Sequence, residues 1–336
     1  MQARRMAKLG AWVVAGLLSA GGAHASPRSF VTIRDDGFLS GKITSPDAIT
    51  KKIVPLYTAT GSAIPDVLSV WTTFPMDGGI VETLFDPVGN DIQGIGLEQS
   101  YGGDGTIVST HPPLRAILLH NDFTKMQMRA DAQNAPVDGL AQYLFLLELS
   151  HTFGPALRLG TNDAGGDPSG LIGFDFHWSF WMDAGSSPAG GNSWKDNGDG
   201  TFTVNAQSPK TVKYTMLDLY LMGLADPSEV TPFGLIEHAA PPAGVKDPFT
   251  GKAYAAHSFP YWGATPFTAT GTHRTITIDE VIAANGPRIP AKAPSSTLNV
   301  GFVMVVPASA SDDEVAAFEA QFEPLASTFG PAYHDA

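Results

Sequence analysis

The stretch "LLELSHTFG", residues 146–154, sits at the centre of the chain and sets the reading of everything around it. Leu140, Leu144, Leu147 and His151 recur at helical spacing, and Asp138 stands where an N-cap would. Gly154-Pro155 then ends or bends the run, so the pattern predicts a buried helix over residues 138–152. On such a helix Glu148 and His151, three positions apart, face the same way. A carboxylate and an imidazole on one face of an apolar helix need a reason to be there, because burying either is costly.

One reason is metal chemistry. Zinc-binding helices carry H-E-x-x-H, two imidazoles one turn apart with a glutamate between them. Here Glu148, Leu149, Ser150 and His151 form the second half, and Leu147 takes the place of the first histidine. In a working site the glutamate acts as general base on a metal-bound water, and a third, distant ligand completes the set. Glu148 is therefore the candidate catalytic residue and His151 a candidate ligand. The plain alternative is a core helix whose Glu and His satisfy each other.

The rest of the chain frames that helix. Of 336 residues, 43% are hydrophobic, enough for one large domain or two small ones. Arg4, Arg5 and Lys8, the apolar run Leu9–Leu18 and Ala23-His24-Ala25 have the form of a secretory signal cleaved after Ala25. No later segment is long and apolar enough for a membrane span. The chain has no cysteine, so neither disulfides nor thiolate ligands are available. Net charge is −13, and −16 once those three basic residues are removed with the signal. That balance disfavours nucleic acid and anionic lipid.

Residues 26–136 are strand-rich. "KKIVPLYTA", "DVLSVWTTF", "IVETLF" and "RAILLH" are short runs of β-branched and aromatic residues between turn formers. In residues 137–336, "FDFHWSFWMD" (174–183) alternates like a strand and "DNGDG" marks a turn into another. "YTMLDLYLMGL" (214–224) forms a second buried helix. "HRTITI" and "LNVGFVMVV" are strands, "DEVIAANG" a short helix, and 311–327 a closing amphipathic helix. The class is α+β. "DNGDG" lacks the glutamate an EF-hand needs, since position 207 is Gln207. His111, His120, His238, His257 and His273 have no ligand spacing.

Six segments in order, "NDIQGIG" (90–96), "LELSH" (147–151), "FHWSF" (176–180), "NGDGTF" (197–202), "LDLYLMGL" (217–224) and "ANGPR" (284–288), resemble those of a family of exported bacterial metallopeptidase-like proteins. The pattern is similar to leishmanolysin-type metzincins. The resemblance implies a zincin-like fold with a mixed sheet, a buried active-site helix and a second core helix. It implies that His177 supplies a later ligand, that Asp218 is a rival third ligand or orients an imidazole, and that Met222 floors the metal. Trp178 and Leu147 would then line a binding cleft. Leu147 departs from the family at a ligand position, so zinc is expected only at low occupancy, held by His151, His177 and Asp218.

The functional expectation is a secreted or periplasmic pseudoenzyme, non-catalytic or weakly active, binding a peptide or protein ligand along a strand edge. An active zinc endopeptidase with a rearranged ligand set and a structural envelope protein are the alternatives.

Overall fold

The structure, a computed structural model, describes residues 29–41, 46–76, 83–95, 107–126, 139–153, 157, 159, 172–173, 177–205, 207–247, 251–263, 265–294 and 297–335. The expected signal, residues 1–25, lies outside them.

Two mixed sheets organise an α+β fold. The first has five strands in the order β1-β11-β2-β4-β3. β1 (Val31–Asp35), β2 (Val67–Thr72), β4 (Ala116–Asp122) and β11 (Val300–Pro307) run parallel, and β3 (Thr83–Pro87) pairs antiparallel with β4 at the edge. "VLSVWT" and "AILLHND" are buried at every position. Near-continuous apolar runs of this kind belong to parallel strands covered on both faces. β11 arrives from the far end of the chain and inserts between β1 and β2, with Val303 opposite both Val31 and Val70.

Helices cover both faces of this sheet. α1 (Pro46–Thr58) packs Ile49, Ile53, Val54 and Tyr57 toward one side, in a cluster with Leu68, Val70, Ile117 and Val303. This corrects the strand expected over "KKIVPLYTA". The β-branched composition pointed to a strand, but Ile49, Ile53 and Tyr57 repeat every four residues, and a sheet face to pack on decides the matter. A short turn, α2 (Phe123–Met126), follows β4.

The opposite face carries α3 (Leu140–His151) and the closing helix α6 (Asp312–Asp335). Val67, Trp71, Leu118, Met304 and Val306 of the sheet meet Phe145, Leu147, Phe322 and Phe329 of the helices. α3 is apolar nearly all round, so it is buried rather than amphipathic. It starts after Gly139, whose φ of 85° occupies the N-cap position. Asp138, the expected cap, lies outside the described residues.

The second sheet has six strands in the order β6-β5-β9-β10-β8-β7. These are β5 (Trp178–Asp183), β6 (Gly190–Asn192), β7 (Trp194–Asp196), β8 (Thr201–Val204), β9 (Phe233–Ala240) and β10 (Thr268–Ile276). "DNGDG" is the β7–β8 turn, with Gly198 and Gly200 at φ of 80° and 81°. Residues 178–182 of β5 are all buried, so its alternation separates two buried faces. Phe174 and Phe176 lie outside the described residues. α4 (Met216–Met222) and α5 (Ile278–Asn285) complete the fold. Among the described residues no helix is long and apolar enough to cross a membrane.

Candidate functional site

α3 lies across the first sheet beside its edge strand, and this places Glu148 and His151 against β3. Glu148 is only 4% exposed. Burial pushes its carboxyl up to about 8, even though a hydrogen bond with the Thr83 side chain pulls the other way. At neutral pH the group is therefore mainly protonated. It holds a proton where a general base would need to accept one.

Thr83 links this carboxyl to a second buried polar group. Its Oγ1 lies 3.0 Å from Nδ1 of His120, the residue opposite it on β4, and 2.9 Å from the Leu119 carbonyl oxygen. The His120 ring stacks on Trp71 at 3.9 Å. Full burial brings its pKa down to about 3, so it stays neutral. On the same helix, Tyr143 packs edge-on against Trp262 at 4.7 Å. Burial, and then the Glu148 charge, raise the Tyr143 phenol.

His151, at the end of α3, meets Phe85 of β3 at 5.7 Å and His177 at 4.9 Å between ring centroids. Burial first, and then His177, hold His151 well below the usual imidazole range. His177 precedes β5, is half-buried, and lies 6.2 Å from Phe259, which is 37% exposed. Glu148 and His151 are thus buried together on α3, and His177, half-buried, adjoins His151.

Asp218 is elsewhere, which corrects its expected role as a ligand. It is the fourth residue of a capping box at the start of α4: its Oδ2 accepts the Thr215 backbone N–H and hydroxyl, both at 2.7 Å. Its Oδ1 accepts the Trp178 indole N–H at 2.8 Å. Burial holds the carboxyl above its ordinary value, with these bonds and one from Ser187 opposing it. Both oxygens are committed to the fold. Trp178 is correspondingly a core residue, 1% exposed, and does not line an open cleft.

Met222 and Leu147 belong to the same apolar cluster beneath the first sheet. Among the described residues no group of three or more His, Asp or Glu is placed to hold a metal ion. The expected zinc is therefore withdrawn, together with the ligand roles of His151, His177 and Asp218. The physical reason is local: Leu147 offers hydrocarbon where a nitrogen is needed, and Asp218 is used up by a helix cap.

Thr83, Phe85, His120 and Tyr143 were not singled out from the sequence. Their proximity to Glu148 and His151 depends on the β3–β4 register and on α3 lying against β3. Comparison with family models, curated proteins and solved structures returns no match for this chain.

Proposed function

We propose that this chain is an exported, non-catalytic peptide- or protein-binding protein of metallopeptidase-like architecture, binding through the β3 edge. The observation that carries the reading is the position of β3. It ends the five-stranded sheet among the described residues, and it touches both polar groups of α3, Glu148 through Thr83 and His151 through Phe85. An edge strand presents backbone N–H and C=O groups on which an extended segment adds as a further strand. Side chains projecting from the added strand would meet Phe85, His151 and His177. A protonated Glu148 and an apolar Leu147 support binding without hydrolysis. The order of the six family-like segments and the mixed sheet above a buried helix support the metallopeptidase-like architecture.

The test is a library of extended ten-residue peptides, read for binding by fluorescence polarisation and for cleavage by mass spectrometry. Saturable binding that weakens at least about ten-fold in Phe85→Ala, with every peptide recovered intact, is the expected result. Cleavage that disappears in Glu148→Gln would overturn the non-catalytic reading. An absence of binding across the library would favour a structural role in the envelope instead.

A further inference from the structure

A second site stands on the six-stranded sheet and shares no lining residue with the α3 cluster. A cavity of about 430 Å³ opens between the ends of β5, β9 and β10 and the start of α4. That volume falls in the range of small-molecule sites, which are mostly apolar with a few convergent polar groups. Met182, Leu217 and Val230 supply buried apolar wall, and Phe233 is half-buried beside them.

The polar groups converge because of one glycine. Gly234 on β9 sits opposite Asp183 of β5 and Thr275 of β10. A Cβ at Gly234 would come 2.8 Å from His273 Nε2 and 3.3 Å from the Asp183 Cβ. The missing side chain thus leaves the Asp183 carboxyl and the His273 ring next to one another over bare backbone. The His273 ring is exposed and lies 6.3 Å from the Phe202 ring, at 22° to it.

Asp183 accepts the Trp194 backbone N–H at 3.1 Å through Oδ1. Burial raises its carboxyl, opposed by amides of Trp194 and Gly185 and by the charge of His273. Among the described residues no lysine or arginine lines the cavity. Arg274, next along β10, pairs with Glu237 and Glu280 instead. The chain as a whole carries −13. A carboxylate partly stripped of water gains most from a cation that also donates hydrogen bonds. An anion entering here would sit against the Asp183 carboxylate with only the exposed His273 ring to offset it, and would lose its own hydration.

We propose that this cavity is a binding site for a small organic ammonium ion with an apolar body: the ammonium group bonds the Asp183 carboxylate beside His273, and the hydrocarbon lies against Met182, Leu217, Val230 and Phe233. The assignment is independent of the reading of β3.

The experiment is calorimetric and NMR titration of the full chain with 2-phenylethylammonium, 2-phenylethanol and 3-phenylpropanoate, which share a body and differ in the head group. The ammonium ion binds saturably, and the carboxylate binds at least about ten-fold more weakly, the difference one charge-assisted hydrogen bond makes. Asp183→Asn keeps an acceptor for the Trp194 amide and loses the charge, and it weakens the ammonium ion by a similar factor. Thr231→Trp changes an exposed residue at the rim and closes the mouth without disturbing the core, so it abolishes binding even if Asp183→Asn misfolds. The proposal is overturned if the ammonium ion does not saturate, if the three compounds bind equally, or if Thr231→Trp leaves binding unchanged. Peptide binding at β3 is measured in the same variants; its retention in Thr231→Trp separates the two sites.

Discussion

His151 and His177, twenty-six residues apart in the chain, meet edge to face with ring centroids 4.9 Å apart. The His151 ring is a poor place for a proton, first because it is buried and then because His177 faces it. Replacing His177 by Asn removes the like charge and leaves the burial. The His151 imidazole should then titrate at higher pH than in the parent, yet still below an exposed histidine, because burial is the larger cause. Imidazole carbon-bound proton shifts followed across pH by NMR measure this directly. A His151 titration that does not move on substitution would mean that the two rings are not electrostatically coupled.

The protonation of Glu148 has a consequence for stability. Its folded-state pKa of about 8 lies above the ordinary value of 4.5. The native protein therefore holds a proton that the unfolded chain has released between those two values, and stability falls as pH rises through that window. At about 1.4 kcal/mol per unit the full loss approaches roughly 5 kcal/mol above pH 8, as an upper limit. Glu148→Gln keeps the shape and removes the charge. It should match the parent near pH 4, exceed it increasingly toward pH 8, and run level with that gain beyond. Urea midpoints at closely spaced pH values provide the comparison. A parent and variant with parallel profiles would place the carboxyl in a wetter setting than the structure gives it.

Much of the frame was legible because burial on both faces leaves a local mark. β2, β4 and β11 announce themselves as apolar runs, and α3 by its repeating leucines. α1 reads as a strand by its β-branched composition around Pro55, yet Ile49, Ile53 and Tyr57 repeat every four residues and the sheet face selects the helix. The site divides in the same way. Glu148 and His151 share a face by helical geometry alone, whereas His177 meets His151 only through the tertiary fold. His120 and Thr83 become neighbours of Glu148 only through strand pairing, which leaves no trace within either segment. Asp218 was readable after all. Thr215-x-x-Asp218 at the start of an apolar run is a capping box, and that role competes with metal binding for the same two oxygens.

That competition makes Asp218 a test of structure against chemistry. Asp218→Ala strips acceptors from the Trp178 indole, the Thr215 amide and the Thr215 hydroxyl at once. The buried Trp178 indole left without a partner costs about 1–3 kcal/mol and loss of the cap about 1 kcal/mol, so a total of roughly 2–4 kcal/mol is expected. Asp218→Asn retains a carbonyl oxygen for one of the two directions and should fall between parent and Ala. Guanidinium midpoints in that order, with Trp178 fluorescence shifted in both variants and no response of any midpoint to added zinc or chelator, are the outcome a structural role requires. A parent midpoint that drops with chelator to the level of Asp218→Ala would return the carboxylate to metal binding and overturn the assignment made from its hydrogen bonds.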